Sequence, residues 1–515
     1  MMVPFSTFNQ THFITRRATL VDLGRVLHGQ ESLSWAYQAH AFKETIPIPE
    51  IIDRYAYIPL GAKEESLRVR VAGRISSVRH AGKKLIFIDI EQINDTGRVK
   101  LQLFCSSAVI SGRDFLLVQN LCKGDIIGVE GAPGRTKAGE LSIYPSQVEL
   151  LSPCLHQIPD VLEDPQVKAR ERVLDLMIHD QVLKNIHVRS KVLNKLRQVL
   201  LRQGYVEAET PILWNQSGGA IASAFKTESK ALGTQLKMRI APELFLKQLI
   251  IARLDKVFEI GKVFRNEGLD STHNIEFTMC EIYTSYQDYN FLFDFTEMIC
   301  REIAQTHGSS LFDKPFNRIE VIPFLNRLLV ESGSLLSIPE DDSLNNEGST
   351  RSLLIEVCTT LKVSPIPSDA SCAQLFDLLI SELIEPLCIE PTFIMHHPVC
   401  LSPLAKAHVS KKGVAERFEL FVRGLELVNA YSELNEPDVQ RQRFQEQAQR
   451  KAQRFQATQQ EEEEHVADES YCRNLELGLP PTAGWGMGID RMCLLLTECR
   501  HIRDVLAFPV VKSQH

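Results

Sequence analysis

The hydrophobic pattern of this chain changes its period between residues 152 and 165, and this change limits the folds that it can adopt. From about residue 66 to 152 apolar and polar residues alternate, as in Leu67–Val71 and Arg98–Phe104, which is typical of β-strands. Glycines such as Gly97 and Gly124 interrupt this stretch. About five short strands separated by such breaks predict a small β-barrel of the OB-fold type.

Longer helical periods alternate with strand-like segments from residue 165 onward. Ile186–Leu201 predicts one amphipathic helix, which ends at Gly204. A chain of 515 residues is too long for a single hydrophobic core, so we expect an α+β protein with more than one domain. Residues 335–351 predict a loop or small insertion, and residues 440–465 predict a long solvated helix or an acidic patch that binds a partner.

Composition excludes some classes of protein. The net charge of -8 argues against a protein that coats nucleic acid, although a local basic face can still bind RNA. No apolar run approaches the ~18 residues that a membrane span needs. The 12 cysteines are scattered without a CxxC pair, which argues against a zinc site or a disulfide framework and suits a reducing compartment.

The first thirty residues have the composition of an organellar transit peptide. They contain Arg16, Arg17 and Arg25, several serines and threonines, and Asp22 as their one acidic residue before Glu31. We therefore expect import into the mitochondrial matrix. A cytosolic tail, and hence a cytoplasmic protein, is the alternative.

Two neighbouring segments predict a hairpin that could bind a nucleotide. Lys256–Ile260 alternates like a strand, a glycine-containing loop follows, and His273–Thr278 begins a returning strand. Such a hairpin would place Arg265 and Phe277 side by side, so that the guanidinium grips a phosphate and the ring lies against a purine. The alternative is a surface ion pair between Arg265 and Glu267 with Phe277 in the core.

A second segment, Gly484–Arg491, has three glycines immediately before an apolar helix that starts near Arg491. A glycine-rich turn at this place would let the backbone approach a ligand closely. The segment does not match GxGxxG and lacks the lysine of a P-loop, so neither nucleotide motif is present.

A third segment follows Glu419 and carries several polar side chains. In an extended chain Asn429, Tyr431 and Glu433 would point to the same face. Glu419 and Glu426 could hold magnesium together with phosphate oxygens. The alternative is a solvated acidic face.

Together, these segments resemble motif 2, motif 3 and the intervening strand of class II aminoacyl-tRNA synthetases. Arg197–Pro211 resembles motif 1, the dimer element of that family. The sequences of these segments are most similar to those of the lysyl-tRNA synthetases, and the resemblance covers most of residues 66–512. The segments that carry it are Met238–Leu244, Cys280–Tyr283, Ser402–Lys406 and Asn429–Asn435, with Val71–Arg74 and Gly124–Gly128 in the barrel.

The resemblance implies an OB-fold barrel that binds the anticodon and a catalytic domain in which helices flank an antiparallel sheet. The chain would then comprise a transit peptide (1–30), a helical linker (31–65), the barrel (66–155) and the catalytic domain (165–515). A homodimer that joins L-lysine to tRNA(Lys) through lysyl-adenylate is implied, with ATP as co-substrate, Mg²⁺ as cofactor and no membrane.

The resemblance also implies residue roles. Arg265 and Arg491 are the expected catalytic residues, on the α- and γ-phosphates. The other expected ATP-binding residues are Glu267, His273, Asn274, Phe277 and Glu426, and the magnesium ligands are Glu419 and Glu426. Lysine would be bound by Gly219, Glu243, Glu281, Tyr283, Asn429, Tyr431 and Glu433. The anticodon would be read by Arg79, Lys84, Phe87 and Gln102.

The predicted amino-acid pocket favours lysine over aspartate, because acids such as Glu281 would pair with an ammonium and repel a carboxylate. Two alternatives stay open: an aspartyl- or asparaginyl-tRNA synthetase, and a non-catalytic paralogue that binds RNA or a partner. Departures from the family pattern occur at Ser223–Lys226 and Arg170–Val173, and residues 310–390 match it poorly.

Overall fold

The computed structural model describes residues 9–37, 42–94, 97–215, 222–345, 347–458 and 469–511. The chain forms two compact units that divide between residues 184 and 185. Within the described residues, no helix is long and apolar enough to cross a membrane. All twelve cysteines are among the described residues, and none of them forms a disulfide bond.

The first unit is built on a closed barrel of five strands. Its strands are β1 (Val69–His80), β2 (Leu85–Asn94), β3 (Gly97–Ser106), β4 (Ile126–Arg135) and β5 (Leu141–Ser152), and they close in the order β1-β2-β3-β5-β4. Buried residues alternate along β1 and β2, so one face of each strand fills the barrel and the other is accessible. The predicted barrel is therefore confirmed.

Short helices accompany the barrel strands. They are α1 (Gln10–His28), α2 (Ile48–Arg54), α3 (Gly112–Gln119), α4 (Pro165–Arg170) and α5 (Arg172–Ile178); α6 (Asp180–Arg202) follows and continues into the second unit. Helix α6 contains the amphipathic segment predicted from residue 186, and Gly204 lies just beyond its end with φ of 83°.

Helix α1 lies within the segment whose composition suggests a transit peptide. Leu20 and Leu23 are buried in the barrel unit's core. Arg16 is also buried, with its Nη2 2.7 Å from Asp125 Oδ2. The basic residue that suggested a leader thus neutralises a buried carboxylate, and residues 10–28 form an integral part of the barrel unit.

The second unit is organised around a sheet of eight strands. The strands of this unit are β6 (Val206–Glu207), β7 (Leu213–Trp214), β8 (Lys226–Ser229), β9 (Thr234–Met238), β10 (Lys256–Phe264), β11 (Glu276–Ser285), β12 (Asn317–Glu320), β13 (Thr392–Met395), β14 (Arg417–Val422), β15 (Leu425–Ser432) and β16 (Thr482–Gly488). The large sheet has the order β12-β13-β14-β15-β16-β11-β10-β6, and β7, β9 and β8 form a small separate sheet. Pairing in the large sheet is antiparallel except between β6 and β10 and between β12 and β13.

Helices pack against the large sheet. They are α7 (Glu243–Ile251), α8 (Tyr289–Gln305), α9 (Val321–Glu331), α10 (Glu347–Thr360), α11 (Cys372–Leu383), α12 (Pro437–Thr458), α13 (Glu469–Leu475) and α14 (Ile489–Thr497). Apolar residues of α6, α8 and α14 share one core with the centre of the sheet. Leu325, Leu354 and Leu379 belong to a second core formed by α9, α10 and α11. An antiparallel sheet flanked by helices is the predicted fold.

Two predictions of local structure are corrected. Residues 347–351 are helical, because Thr350 and Leu354 of α10 are buried in the second unit. Residues 484–488 are not a turn but the end of strand β16, which pairs with β11 and β15 on its two sides. The solvated helix predicted from residue 440 is present as α12, whereas the acidic run at 461–464 lies outside the described residues.

Candidate active site

A cavity of about 460 Å³ opens on one face of the large sheet. Strands β11, β15 and β16 form its floor, and α7 and the loop between β10 and β11 contribute to its walls. The residues that the sequence assigns to ATP or lysine and that line this cavity are Glu243, Arg265, Glu267, His273, Asn274, Phe277, Glu281, Tyr283, Glu419, Glu426, Asn429, Tyr431 and Arg491. Glu433 is not in the lining, and Gly219 lies outside the described residues.

Strand β16 leaves part of the cavity floor without side chains. Trp485 and Met487 point into the core below the sheet. The intervening Gly484 and Gly486 line the cavity without a side chain. A Cβ atom at Gly484 would lie only 1.9 Å from Glu433 Oε1, so no larger residue fits at that position. These glycines therefore leave room for neighbouring side chains and do not form a turn.

The hairpin of β10 and β11 brings Arg265 to Phe277, as predicted. The ladder ends at the pair of Phe264 and Glu276, and the Arg265 amide donates to the Ile275 carbonyl at 2.9 Å. The Arg265 guanidinium carbon then lies 5.2 Å from the centroid of the Phe277 ring. Both side chains are half-buried and face the cavity, so a fixed cation and an aromatic ring are presented together.

Arg491, in the first turn of α14, connects two walls of the cavity. Its Nη1 donates to the Glu426 carbonyl at 2.6 Å and lies 3.2 Å from Glu426 Oε2. Its Nη2 donates to His273 Nε2 at 2.9 Å. Because arginine can only donate, His273 must accept at Nε2 and carry its proton on Nδ1, which lies 2.8 Å from Asp270 Oδ2.

Asp270 is held as an anion by this arrangement. Its slight burial would raise the pKa, but hydrogen bonds from Thr272 and His273 outweigh burial and lower the pKa to about 2. The loop between β10 and β11 is thereby tied to Arg491 through His273. A phosphate that replaced His273 as the acceptor would find Arg491 already oriented.

The acids Glu419 and Glu426 lie at the same end of the cavity as Arg491. Burial would raise the pKa of Glu419, but Arg417 and His397 outweigh it and hold the pKa at about 2. Burial raises the pKa of Glu385 to about 7, and the carboxylates of Glu419 and Glu426 add to this effect. Arg417 pairs with Glu419 and Arg491 pairs with Glu426, so each of these two carboxylates has a positively charged partner.

This end of the cavity fits a magnesium ion. Carboxylate oxygens are the ligands that magnesium prefers, and Glu419 and Glu426 present such oxygens to the cavity. No cluster of three or more histidine, cysteine or acidic side chains within metal-binding distance occurs among the described residues. Glu419 and Glu426 would therefore hold the ion together with oxygen atoms of a substrate.

The other end of the cavity is a buried acidic pocket. Tyr283 Oη donates to Glu281 Oε2 at 3.0 Å, and Tyr431 Oη donates to Glu243 Oε1 at 2.7 Å. Burial and the Glu243 carboxylate raise the pKa of Glu281 to about 8 despite the hydrogen bond from Tyr283. Acids whose charge is costly in this way are poised to receive a cation.

On the barrel, the structure places aromatic side chains around the predicted anticodon residues. Phe87 pairs with Phe104 across β2 and β3, with ring centroids 5.2 Å apart, and Tyr144 lies 4.8 Å from Phe104. Gln102 accepts from the Ser142 hydroxyl at 3.0 Å, which leaves its amide NH₂ as a donor. The two remaining predicted residues, Arg79 and Lys84, are exposed.

Comparison with known proteins agrees with this geometry. A model for an OB-fold nucleic acid binding domain matches residues 69–151, and a model for tRNA synthetases class II (D, K and N) matches residues 164–512. A lysine–tRNA ligase from Cladosporium cladosporioides is 40% identical over 92% of this chain and 81% of its own length. A lysine–tRNA ligase from Thermotoga sp. (strain RQ2) is 37% identical over 92% of both chains.

This chain belongs to the lysine–tRNA ligase family of class II aminoacyl-tRNA synthetases. A probable cytoplasmic lysine–tRNA ligase from Enterocytozoon bieneusi is also similar, with 38% identity over 88% of this chain and 89% of its own length. Membership confirms the predicted OB-fold domain and class II catalytic domain. These relatives thus include a bacterial ligase and one that is named as cytoplasmic.

Three further residues of the candidate sites were not among those predicted from the sequence, namely Lys247, Arg417 and Phe104. Lys247 lies four residues after Glu243 in α7 and therefore on the same helix face, a spacing that could have pointed to it. Arg417 donates to Asn429 Oδ1 at 3.1 Å and pairs with Glu419. It is the first residue of β14, and no sequence pattern pointed to a role for it. Phe104 was detectable in principle, because it follows the same alternation as Phe87.

Proposed function

We propose that this enzyme joins lysine to ATP as lysyl-adenylate and then transfers the lysyl group to tRNA(Lys). The observation that carries the proposal is the division of the cavity into two ends of opposite chemistry. Arg491 lies at one end, the acids Glu243 and Glu281 lie at the other, and Arg265 lies between them. A triphosphate fits the first end and a cationic amino acid fits the second.

In the first step, the lysine carboxylate attacks the α-phosphate of ATP and displaces pyrophosphate. Such a reaction depends mainly on positioning and charge stabilisation, so the chain needs no side-chain nucleophile. Arg265 lies between the two ends and would hold the α-phosphate and the lysine carboxylate together. Phe277 would stack on the adenine, with Glu267, His273 and Asn274 around the nucleotide and Arg491 on the γ-phosphate.

The acidic pocket supports lysine as the amino acid. Glu243 would pair with the α-ammonium, and Glu281 and Glu433, together with Tyr283, would receive the side-chain ammonium. Asn429 and Tyr431 would line the space between them. An aspartate side chain would bring a negative charge beside acids that already resist ionisation, so the like charges disfavour it.

Magnesium is the metal that the proposal requires. Glu419 and Glu426 would hold it, and it would supply positive charge that offsets the phosphates. Arg417, which pairs with Glu419, keeps that carboxylate oriented toward the cavity.

The barrel is proposed to bind the anticodon. Phe87, Phe104 and Tyr144 offer neighbouring aromatic surfaces on which bases can stack. Gln102 would contribute a base-edge donor, and Arg79 and Lys84 would contact the backbone phosphates.

We further propose a homodimer. Large apolar side chains are exposed between residues 201 and 214 of the second unit, a surface that water disfavours. They are Leu201, Val206, Ile212, Leu213 and Trp214. Sedimentation velocity on the intact enzyme is expected to give two chains per particle, and a single chain would contradict this proposal.

We propose that this enzyme acts in the mitochondrial matrix. The basic, hydroxyl-rich N-terminus favours the mitochondrial matrix, whereas the burial of Arg16, Leu20 and Leu23 favours an N-terminal helix that stays attached. Import without removal of α1 is compatible with both, and a cytoplasmic enzyme is the alternative. Cell fractionation followed by N-terminal sequencing decides between them.

The test of the two-step reaction is the isolation of its intermediate. Enzyme, lysine, Mg²⁺ and α-labelled ATP, without tRNA, are expected to yield enzyme-bound labelled lysyl-adenylate. Adding tRNA(Lys) should then release labelled AMP and form lysyl-tRNA. Formation of lysyl-tRNA without a detectable adenylate, in a rapid-quench experiment, would contradict the proposal.

A further inference from the structure

Lys247 is a charged side chain that lies entirely inside the protein. Its side chain has no solvent exposure, and its Nζ is 2.5 Å from Glu243 Oε1. The same ammonium pairs with Glu433, whose side chain is also inaccessible to solvent. Burial alone would lower the pKa of Lys247, but the carboxylates of Glu243 and Glu433 outweigh it and hold the pKa above its ordinary value. Lys247 is therefore permanently charged.

The neighbours of Lys247 define the charge of the acidic pocket. Glu243 and Lys247 come from α7, Glu281 from β11, and Glu433 follows β15. The other titratable or charged groups that face the pocket are Tyr283, Tyr431, Tyr471 and Arg265. Three carboxyls face one internal ammonium, so when all are ionised two negative charges have no partner within the pocket. A lysine substrate brings two ammonium groups, while its carboxylate is assigned to Arg265.

Position distinguishes the three carboxyls. Glu243 and Glu281 line the cavity, whereas the Glu433 side chain is inaccessible to solvent and lies against Gly484 of the cavity floor. The carboxyl that a substrate reaches least is thus one that Lys247 already neutralises. Because Lys247 pairs with both Glu243 and Glu433, the two negative charges that it leaves uncompensated are spread over the three carboxyls.

We infer that Lys247 is a positioning and specificity-determining residue of the lysine site, an internal counter-ion that sets the pocket's charge to match a substrate with two ammonium groups. This inference rests on the proposed function. It assigns to Lys247 a role that acts through Glu433 and Glu243 and not through contact with the reacting atoms.

A double-mutant cycle on the full-length enzyme tests the inference, with Lys247→Met, Glu433→Gln and the double variant. ATP–pyrophosphate exchange gives KM for lysine and KM for ATP. Lys247→Met leaves three carboxyls without their counter-ion, and we expect KM for lysine to rise at least about tenfold while KM for ATP stays within about twofold. The pH at which lysine binds well should also move upward, because the unpaired acids take up protons.

The double variant restores the match of two carboxyls to two ammonium groups. Its loss in KM for lysine is therefore expected to be at least about fivefold smaller than the product of the two single losses. Losses that multiply, or an equal rise in KM for ATP, would overturn the inference. The surface variant Lys314→Met, whose Nζ lies 3.0 Å from Glu390 on an exposed site, is the matched control and should behave like the wild type.

Failure of Lys247→Met to fold would not remove the test, since replacing both partners of a buried pair is tolerated better than removing one. The double variant is then compared with Glu433→Gln alone. The inference predicts that adding Lys247→Met to that background lowers KM for lysine or raises it by less than about threefold, and a tenfold rise overturns it. If the wild type itself shows no lysine-dependent exchange, the proposed function fails, which is a separate outcome.

Discussion

Arg265 is the single side chain on which the proposed chemistry depends most. It would hold both reacting groups, so Arg265→Ala is expected to lower the rate of ATP–pyrophosphate exchange by roughly a hundredfold or more. Because Arg265 is half-buried at a loop and donates one long hydrogen bond, to the Ile240 carbonyl at 3.5 Å, the fold should persist. Circular dichroism and thermal unfolding check the fold. Arg327→Ala, which removes a surface arginine near Glu331, is the control, and wild-type exchange in Arg265→Ala would contradict the assigned role.

Glu281 makes lysine binding depend on pH. Its pKa of about 8 in the free enzyme means that it is largely protonated at pH 7, whereas pairing with an ammonium requires the carboxylate. Binding must then release a proton, so KM for lysine should increase as the pH falls below 8, by up to about tenfold per unit. KM for ATP should stay flat over the same range. Glu281→Gln is expected to bind lysine weakly at every pH, and a wild-type KM for lysine that is constant from pH 6 to 8 would contradict this prediction.

At the residue scale, the sequence predicted pairings that local geometry determines. Arg265 meets Phe277 because a hairpin brings them together, and the alternating pattern predicted that hairpin. The partnership of Lys247 with Glu433 could not be predicted, because it joins positions 186 residues apart through tertiary packing. No local sequence pattern predicts which buried acid will pair with a buried lysine.

At the scale of elements, the largest error concerns β16. Three glycines in five residues predict a turn by propensity, since glycine weakens strands. The segment is nevertheless a strand, because β11 and β15 pair with it on both sides and Trp485 and Met487 are buried beneath it. Tertiary pairing overrides local propensity here. By contrast, the barrel strands were predictable because their alternation reflects one buried face.

Helix α1 is attached to the barrel unit by a buried ion pair between Arg16 and Asp125. Asp125 is fully buried and accepts from the amides of Cys122 and Cys154, and Arg16 supplies the positive charge beside it. Arg16→Met should therefore destabilise the docking of α1 by ~3 kcal/mol, because it leaves a buried charge unpaired. Hydrogen exchange measured by mass spectrometry is expected to quicken in peptides from α1. Arg17→Met, on the exposed side of the same helix, is the matched control, and equal exchange in the two variants would contradict the structural role of Arg16.

At the scale of the whole molecule, the two units divide the work proposed for this ligase. One carries aromatic and basic groups on a barrel, and the other carries the cavity with its two chemical ends. The sequence predicted both folds because each has its own period and its own motifs. It did not predict the separate core of α9, α10 and α11, whose helices show only ordinary amphipathic patterns.

The most direct test of the central claim is ATP–pyrophosphate exchange with each of the standard amino acids in turn. The full-length chain should be used, because α1 contributes to the barrel unit's core. The account predicts magnesium-dependent exchange with lysine and none above background with aspartate or asparagine. Exchange with aspartate or asparagine would contradict the assignment of Glu243 and Glu281 to two ammonium groups, and no exchange with any amino acid would contradict the proposed activation of lysine.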